Sequence, residues 1–231
     1  MTHTDLTDIT LVLDRSGSME SVKESTITAF NEFVSSQIEV EGQATMSLVQ
    51  FDNEYDVLYE AIPIEQVSEL TAETFVPRGS TALLDAMGQT IVRTGQRLAA
   101  MPEAERPGTV LFVTLTDGEE NSSSEYNLHR INEMITEQRE KYSWQFLFLA
   151  ANQDAIATAS QFGIGAGQAM TFGASEQGLA GTMSVMKQKV TSMRESRAAG
   201  RDMAPISFDE TDRKKAMGKP TEKPERKSRR K

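Results

Sequence analysis

Apolar positions along the chain fall into two kinds of run, and the two alternate. Ile9-Thr10-Leu11-Val12-Leu13 and Val110 to Thr116 are unbroken stretches of mostly branched and aromatic residues. That is the pattern of strands covered on both faces. Met46 to Phe51, Trp144 to Ala150 and the short Ala169 to Phe172 read the same way. Between them, apolar residues recur at helical spacing. Ile27, Phe30 and Val34 mark one stripe, and Leu84, Met87, Ile91 and Leu98 a second. Leu128, Ile131 and Ile135 mark a third, and Leu179, Met183, Met186, Val190 and Met193 a fourth. The last is a narrow, Met-rich seam, and packing on a sheet explains it better than a partner-binding role. Asp52-Asn53-Glu54 is a turn, so Tyr55 to Ala61 returns as an antiparallel strand at a sheet edge.

Local signals place the helix ends. Ser80 or Thr81 caps the second helix, and Ser122-x-x-Glu125 reads as a capping box for the third. Asp154 opens a short helix that Gly163 closes, and the final helix begins near Ser175. Strands alternating with helices predict one α/β domain, doubly wound, with a mainly parallel sheet and helices on both faces. Right-handed crossovers then bring the strand-to-helix loops to one edge of the sheet, where such folds bind ligands.

Composition narrows the chemistry. The 231 residues include no Cys and two His, His3 and His129. Disulfides, thiolate metal sites and Cys catalysis are excluded. His3 is expected in a frayed terminus and His129 on a helix surface, so neither supports a catalytic triad or a His-rich metal site. No apolar run is long enough to span a membrane and no signal peptide is visible, so a cytoplasmic protein is expected. Charge is uneven. From Asp212 to Lys231 there are ten Lys or Arg and three Asp or Glu, a net of +7. Subtracting these from the totals of 24 and 34 leaves Met1 to Thr211 with 14 basic and 31 acidic residues, a net of −17. An acidic body argues against nucleic-acid binding by the folded part, whereas the tail could bind nucleic acid, an acidic partner or the body itself. The chain divides into a domain over 4–198 and a polar, then basic, segment over 199–231. Disorder is expected from about Asp212.

The candidate chemistry sits in three loops. Asp14-Arg15-Ser16-Gly17-Ser18-Met19 follows the first strand and sets one carboxylate and two hydroxyls two residues apart. Asp117-Gly118 ends the Val110 strand, and Gly79-Ser80-Thr81 leads into a helix. Small oxygen-bearing side chains held in turns suit a hard divalent cation that keeps some of its water. Glu119, Glu120 and Asn121 are read as negative charge ahead of the third helix, and Asp85 as complementing the dipole of the second. Arg15 and Arg78 are read as solvated charges, Met19 as a core anchor, and Asn152-Gln153-Asp154 as a loop on the same sheet edge.

Asp14-x-Ser16-x-Ser18, Thr81 and Asp117-Gly118, in this order and at these strand ends, resemble the metal-ion-dependent adhesion site of von Willebrand factor type A domains. The resemblance covers roughly Thr4 to Ala198. It implies a six-stranded sheet in the order 3-2-1-4-5-6 with strand three antiparallel at one edge. It also implies roles. Ser16 and Ser18 bind the cation directly, Thr81 directly or through water, and Asp14 and Asp117 mostly through bound water. Mg²⁺ is the expected ion, and Mn²⁺ or Ca²⁺ suit the same oxygens. One coordination position is left for an Asp or Glu of a partner protein, which makes the chain an intracellular interaction module and not an enzyme. Two alternatives compete: a metal-dependent phosphohydrolase with Asp14 as nucleophile or ligand, and an adaptor whose basic tail binds nucleic acid. The first lacks an Asp-x-Asp pair, a phosphate loop ending in Gly-Lys-Ser/Thr and a suitably placed base. Partner identity and oligomeric state are not legible.

Overall fold

The computed structural model describes residues 2–151, 154–201 and 204–218. Six strands form one sheet: β1 (His3–Asp14), β2 (Gln43–Phe51), β3 (Tyr55–Pro63), β4 (Pro107–Thr116), β5 (Gln145–Ala151) and β6 (Ala169–Phe172). Their spatial order is β3-β2-β1-β4-β5-β6. Every neighbouring pair is parallel except β2 with β3. The predicted doubly wound sheet and its antiparallel edge are therefore present. The turn between β2 and β3 closes on two bonds, Asp52 N to Glu54 O at 3.1 Å and Glu54 N to Asp52 Oδ1 at 2.6 Å.

The unbroken apolar runs arise because both faces of the central strands are covered. Ile9, Leu11 and Leu13 join Leu111, Val113 and Leu115 in one core layer, beneath α1 (Lys23–Ile38) and α5 (Glu176–Ala198). Val12, Phe112, Phe146 and Phe148 point the other way, into a second layer. That layer lies under α2 (Leu83–Ala100), α3 (Leu128–Tyr142) and the short α4 (Ala155–Gln161). Burying one such side chain stabilises the fold by roughly 1.5–3 kcal/mol. The Met-rich seam of α5 is core: Leu179, Met183, Met186, Val190 and Met193 are all buried. Asp154 and Ser175 cap α4 and α5 as expected, accepting backbone N–H groups of their own first turns.

His3 is not frayed: it opens β1 and its N–H donates to Arg106 O at 2.7 Å. Asp212 lies not in a disordered run but in a further helix, α6 (Glu210–Ala216). A capping box between Asp209 and Asp212 starts this helix. Lys215 Nζ donates to Ser184 Oγ at 2.8 Å, and Arg213 reaches the carbonyls of Ala166 and Ala169. Residues 219–231 lie outside the described residues. Nor is Ser122-x-x-Glu125 a capping box for α3, which starts at Leu128 with Asn127 as its N-cap; Ser123 instead accepts from Asp85 N in the first turn of α2.

Candidate metal centre

The pairing of Leu13 with Leu115 brings Asp14 level with Thr116 on the neighbouring strand. Thr116 Oγ1 donates to Asp14 Oδ2 at 2.5 Å, and Ser16 N donates to Asp14 Oδ1 at 2.6 Å. Ser16 Oγ lies 3.1 Å from Ser18 Oγ, and Ser18 Oγ donates to Asp117 Oδ1 at 2.5 Å. A Cβ placed on Gly118 would stand 2.9 Å from Thr81 Oγ1 and 3.6 Å from Ser18 Oγ. So Asp14, Ser16, Ser18, Thr81 and Asp117, spread over about a hundred residues of chain, meet at one point on the carboxyl edge of the sheet. Gly118 is what lets Thr81 approach. Met19 is fully buried and pins the first loop through the 3-10 turn Gly17–Val22. Asp14, Ser16, Thr81 and Asp117 are buried, and Gly17 and Ser18 are exposed. The cluster therefore opens to solvent on the Ser18 side.

The loops are tied together by main-chain bonds. Gly17 N donates to Gly79 O at 3.2 Å, Arg78 N to Arg15 O at 2.8 Å, and Asn121 N to Thr81 O at 3.1 Å. Gly79 adopts φ +67°, and a Cβ there would strike Asn53 Oδ1 at 2.1 Å. Neither Ser80 nor Thr81 caps α2: its N-cap is Ala82, which has no capping side chain. The first N–H groups of α2 are satisfied from the β4–α3 loop, by Glu120 for Leu84 at 3.0 Å and Ser123 for Asp85 at 3.1 Å. Asn121 Oδ1 accepts from Thr81 N at 2.9 Å. In return, the Asp85 carboxylate accepts from the backbone of Ser124, Glu125 and Tyr126 at 2.8–2.9 Å. Glu120 and Asn121 thus serve the second helix and not the third, and Asp85 does more than complement a dipole: it orders the loop that carries Asp117.

Arg15 and Arg78 also differ from expectation. Arg15 is buried and pairs with Asp52 at 3.0 Å and Asp56 at 2.6 Å. Arg78 is half-exposed and pairs with the same Asp52 oxygen at 2.8 Å, and with Glu54. Thr116, read only as a strand end, and Asp52, read only as part of a turn, are the residues of this region whose contacts the sequence did not reveal. A Thr directly before Asp117-Gly118 at the strand end was the available signal for the first; nothing local marks the second. Asn152 and Gln153, expected on the same edge, lie outside the described residues.

Burial pushes the Asp14 carboxyl up to about 6, against the lowering effect of its bonds from Thr116 and Ser16. Burial also raises Asp117, against the bond from Ser18. Among the described residues, no Lys, Arg or His forms an ion pair with Asp14. Nor does any group of three or more His, Cys, Asp or Glu side chains gather as a metal cluster. The donor set here is instead two carboxylates and three hydroxyls. Neighbouring oxygens on an octahedral Mg²⁺ at about 2.1 Å stand about 3.0 Å apart. Ser16 Oγ and Ser18 Oγ, hydrogen-bonded at 3.1 Å, are close enough to share one such cation, and all-oxygen donors fit a hard cation.

A doubly wound sheet with an oxygen-rich cluster where its strand order reverses defines a class of ligand-binding α/β domains. Within it, the chain belongs to the von Willebrand factor type A family, whose domain model matches residues 8–184. No curated protein matches it. Among solved structures it is similar to proximal thread matrix protein 1 from the mussel byssus, at 14% identity and a TM-score of 0.56. That alignment covers 80% of this chain and 46% of the mussel one. A structure of the same mussel protein with a zinc-occupied MIDAS motif aligns at 16% identity and a TM-score of 0.55, over 80% and 46% of the two chains. A von Willebrand factor type A protein from Catenulispora acidiphila aligns at 16% identity and a TM-score of 0.51, over 80% and 42%. At these identities the likeness is one of fold. The chain spans less than half the length of each of these proteins.

Proposed function

We propose that the chain is a metal-dependent protein-interaction module that works inside the cell. Ser16 and Ser18 hold a divalent cation through their hydroxyls, with Thr81 beside them directly or through water. Asp14 and Asp117 supply charge through metal-bound water. Mg²⁺ is the ion we favour, with Mn²⁺ and Ca²⁺ as oxygen-seeking substitutes. Bound there, the ion supplies an electrophilic point on an acidic surface, able to take a carboxylate from a partner's Asp or Glu. The chain's own part is to hold three neutral hydroxyls ready, so that the ion's charge is incompletely neutralised. The exposed Ser18 side leaves room for the incoming acid.

The observation that carries this reading is the meeting of Ser16, Ser18, Thr81 and Asp117 around Gly118, with the two serine oxygens 3.1 Å apart. The zinc in the mussel protein's MIDAS motif supports it by likeness. The test is a titration with Mg²⁺ or Mn²⁺ followed by thermal midpoint, on wild type, Asp14→Ala and Ser16→Ala. Wild type is expected to be stabilised and both variants not. No shift in wild type, or an equal shift in Asp14→Ala, overturns the metal assignment. The carboxylate part is tested with partners captured in Mg²⁺: their release by chelator and loss with Ser16→Ala are expected, and retention through both overturns it.

A further inference from the structure

Two of the three loops that build the site converge a second time, behind it, on one buried side chain. Asp52, at the tip of the β2–β3 hairpin, is fully buried. Its Oδ2 accepts from Arg15 Nε at 3.0 Å and from Arg78 Nε at 2.8 Å, and its Oδ1 accepts from Glu54 N at 2.6 Å. Its carbonyl oxygen accepts from Ala82 N at 2.9 Å. Arg15 stands between Asp14 and Ser16, Arg78 lies just ahead of Gly79, and Ala82 directly follows Thr81. Arg15 is further fixed by its N–H to Phe51 O at 2.8 Å and by its ion pair with Asp56 at 2.6 Å. Asp52 therefore joins the main-chain bonds Gly17 N to Gly79 O and Arg78 N to Arg15 O in tying the Ser16–Ser18 loop to the Thr81 loop, without touching any of the three hydroxyls.

We infer that Asp52 is a positioning residue for the cation site, and that the hairpin tip and the site form one mechanical unit. This rests on the metal reading given above. A cation needs its oxygens at fixed mutual distances, and Mg²⁺ tolerates little departure from octahedral geometry. Residues that orient ligands from behind commonly change metal affinity by 10–100-fold when replaced. Asp52 holds two ligand-bearing loops with charge-assisted bonds, the stronger class of hydrogen bond. The arrangement also ties Arg78, half-exposed at the rim, to the same carboxylate. A partner that engaged Arg78 would then pull on Asp52 and on the site together.

The experiment compares two buried ion pairs of one chain. Asp52→Asn keeps the shape and removes the charge. Arg97→Gln breaks the Asp8–Arg97 pair, 2.5 Å in length, on the neighbouring strand β1 and away from the site. Affinity for Mn²⁺ is measured by calorimetry, and stability by urea unfolding without metal. Asp52→Asn is expected to weaken Mn²⁺ at least about tenfold, and Arg97→Gln to destabilise the fold while leaving Mn²⁺ affinity within about twofold of wild type. Asp52→Glu, tested alongside, should recover part of the affinity, since charge is what both guanidinium groups read. If wild type binds Mn²⁺ and Asp52→Asn binds it equally, or if both variants weaken it in proportion to their loss of stability, the positioning role is overturned and the metal site stands. If wild type binds no Mn²⁺, the site itself fails and the inference with it. Should Asp52→Asn not fold, Arg78→Gln probes the same carboxylate from its exposed side. Unchanged Mn²⁺ affinity in Arg78→Gln then counts against the role.

Discussion

Strand β1 buries two carboxylates, Asp8 midway along it and Asp14 at its carboxyl end, and the two are treated in opposite ways. Asp8 accepts from Thr45 Oγ1 at 3.0 Å and is neutralised by Arg97 at 2.5 Å. Asp14 accepts from the N–H of Ser16 and the hydroxyl of Thr116, with the Ser16 hydroxyl also favouring its ionised form, and among the described residues no Lys, Arg or His pairs with it. Burial accordingly drives it up to about 6. A buried anion without a countercharge is costly. Asp8 has its positive partner built in; Asp14 has none among the described residues, and a proton or the cation of the proposed function would relieve its burial.

The comparison can be broken from either end. The largest effect is expected at the self-sufficient one. Arg97→Gln strands the Asp8 charge and should cost about 3–5 kcal/mol in urea unfolding at neutral pH, with no change in the response to metal. At the other end the sign reverses. Asp14→Asn removes a charge whose burial opposes folding, so the metal-free variant should be more stable than wild type at pH 7, by about 3 kcal/mol from a rise of about two pKa units. It should also lose its stabilisation by Mg²⁺. The same quantity appears as a pH dependence. A carboxyl raised in the folded state binds more protons folded than unfolded, so stability is fully present below the usual 3.8 and falls as pH rises through about 6. Metal-free wild type should therefore weaken over that window more than Asp14→Asn, which keeps only the smaller contribution of Asp117. With Mg²⁺ present the wild-type decline should vanish. The smallest effect is Thr116→Val, which deletes one bond to Asp14 at a cost of about 1 kcal/mol. It should move the pH decline upward, because that bond favours the ionised form.

Much of this was legible in the chain. Branched and aromatic runs revealed strands, because a strand with both faces covered cannot hide its composition. Stripes at helical spacing revealed helices, and crossover handedness brought Asp14, Thr81 and Asp117 to one edge. What escaped was the polar wiring between distant loops. Ser122 and Glu125 mimic a capping box, but a local pattern cannot show that Glu120 and Ser123 serve a helix some forty residues earlier. Arg15 looks like a surface charge until Asp52, 37 residues away, is found beneath it. α6 was overlooked because its lysines and arginine suggested a solvated tail. Its helix signal, Asp209 with Asp212 ahead of helix-forming residues, was weaker than its charge.

Helix α6 has a practical meaning for anyone shortening the chain. β6 is a margin of the sheet, and Arg213 fastens onto the carbonyl of Ala169 there, with Phe208 N bonded to Gly167 O close by. A protein ending at Ala198 would keep every oxygen of the candidate site. It would also lay bare a strip of unsatisfied backbone to which a neighbouring molecule's strand could zip, inviting aggregation.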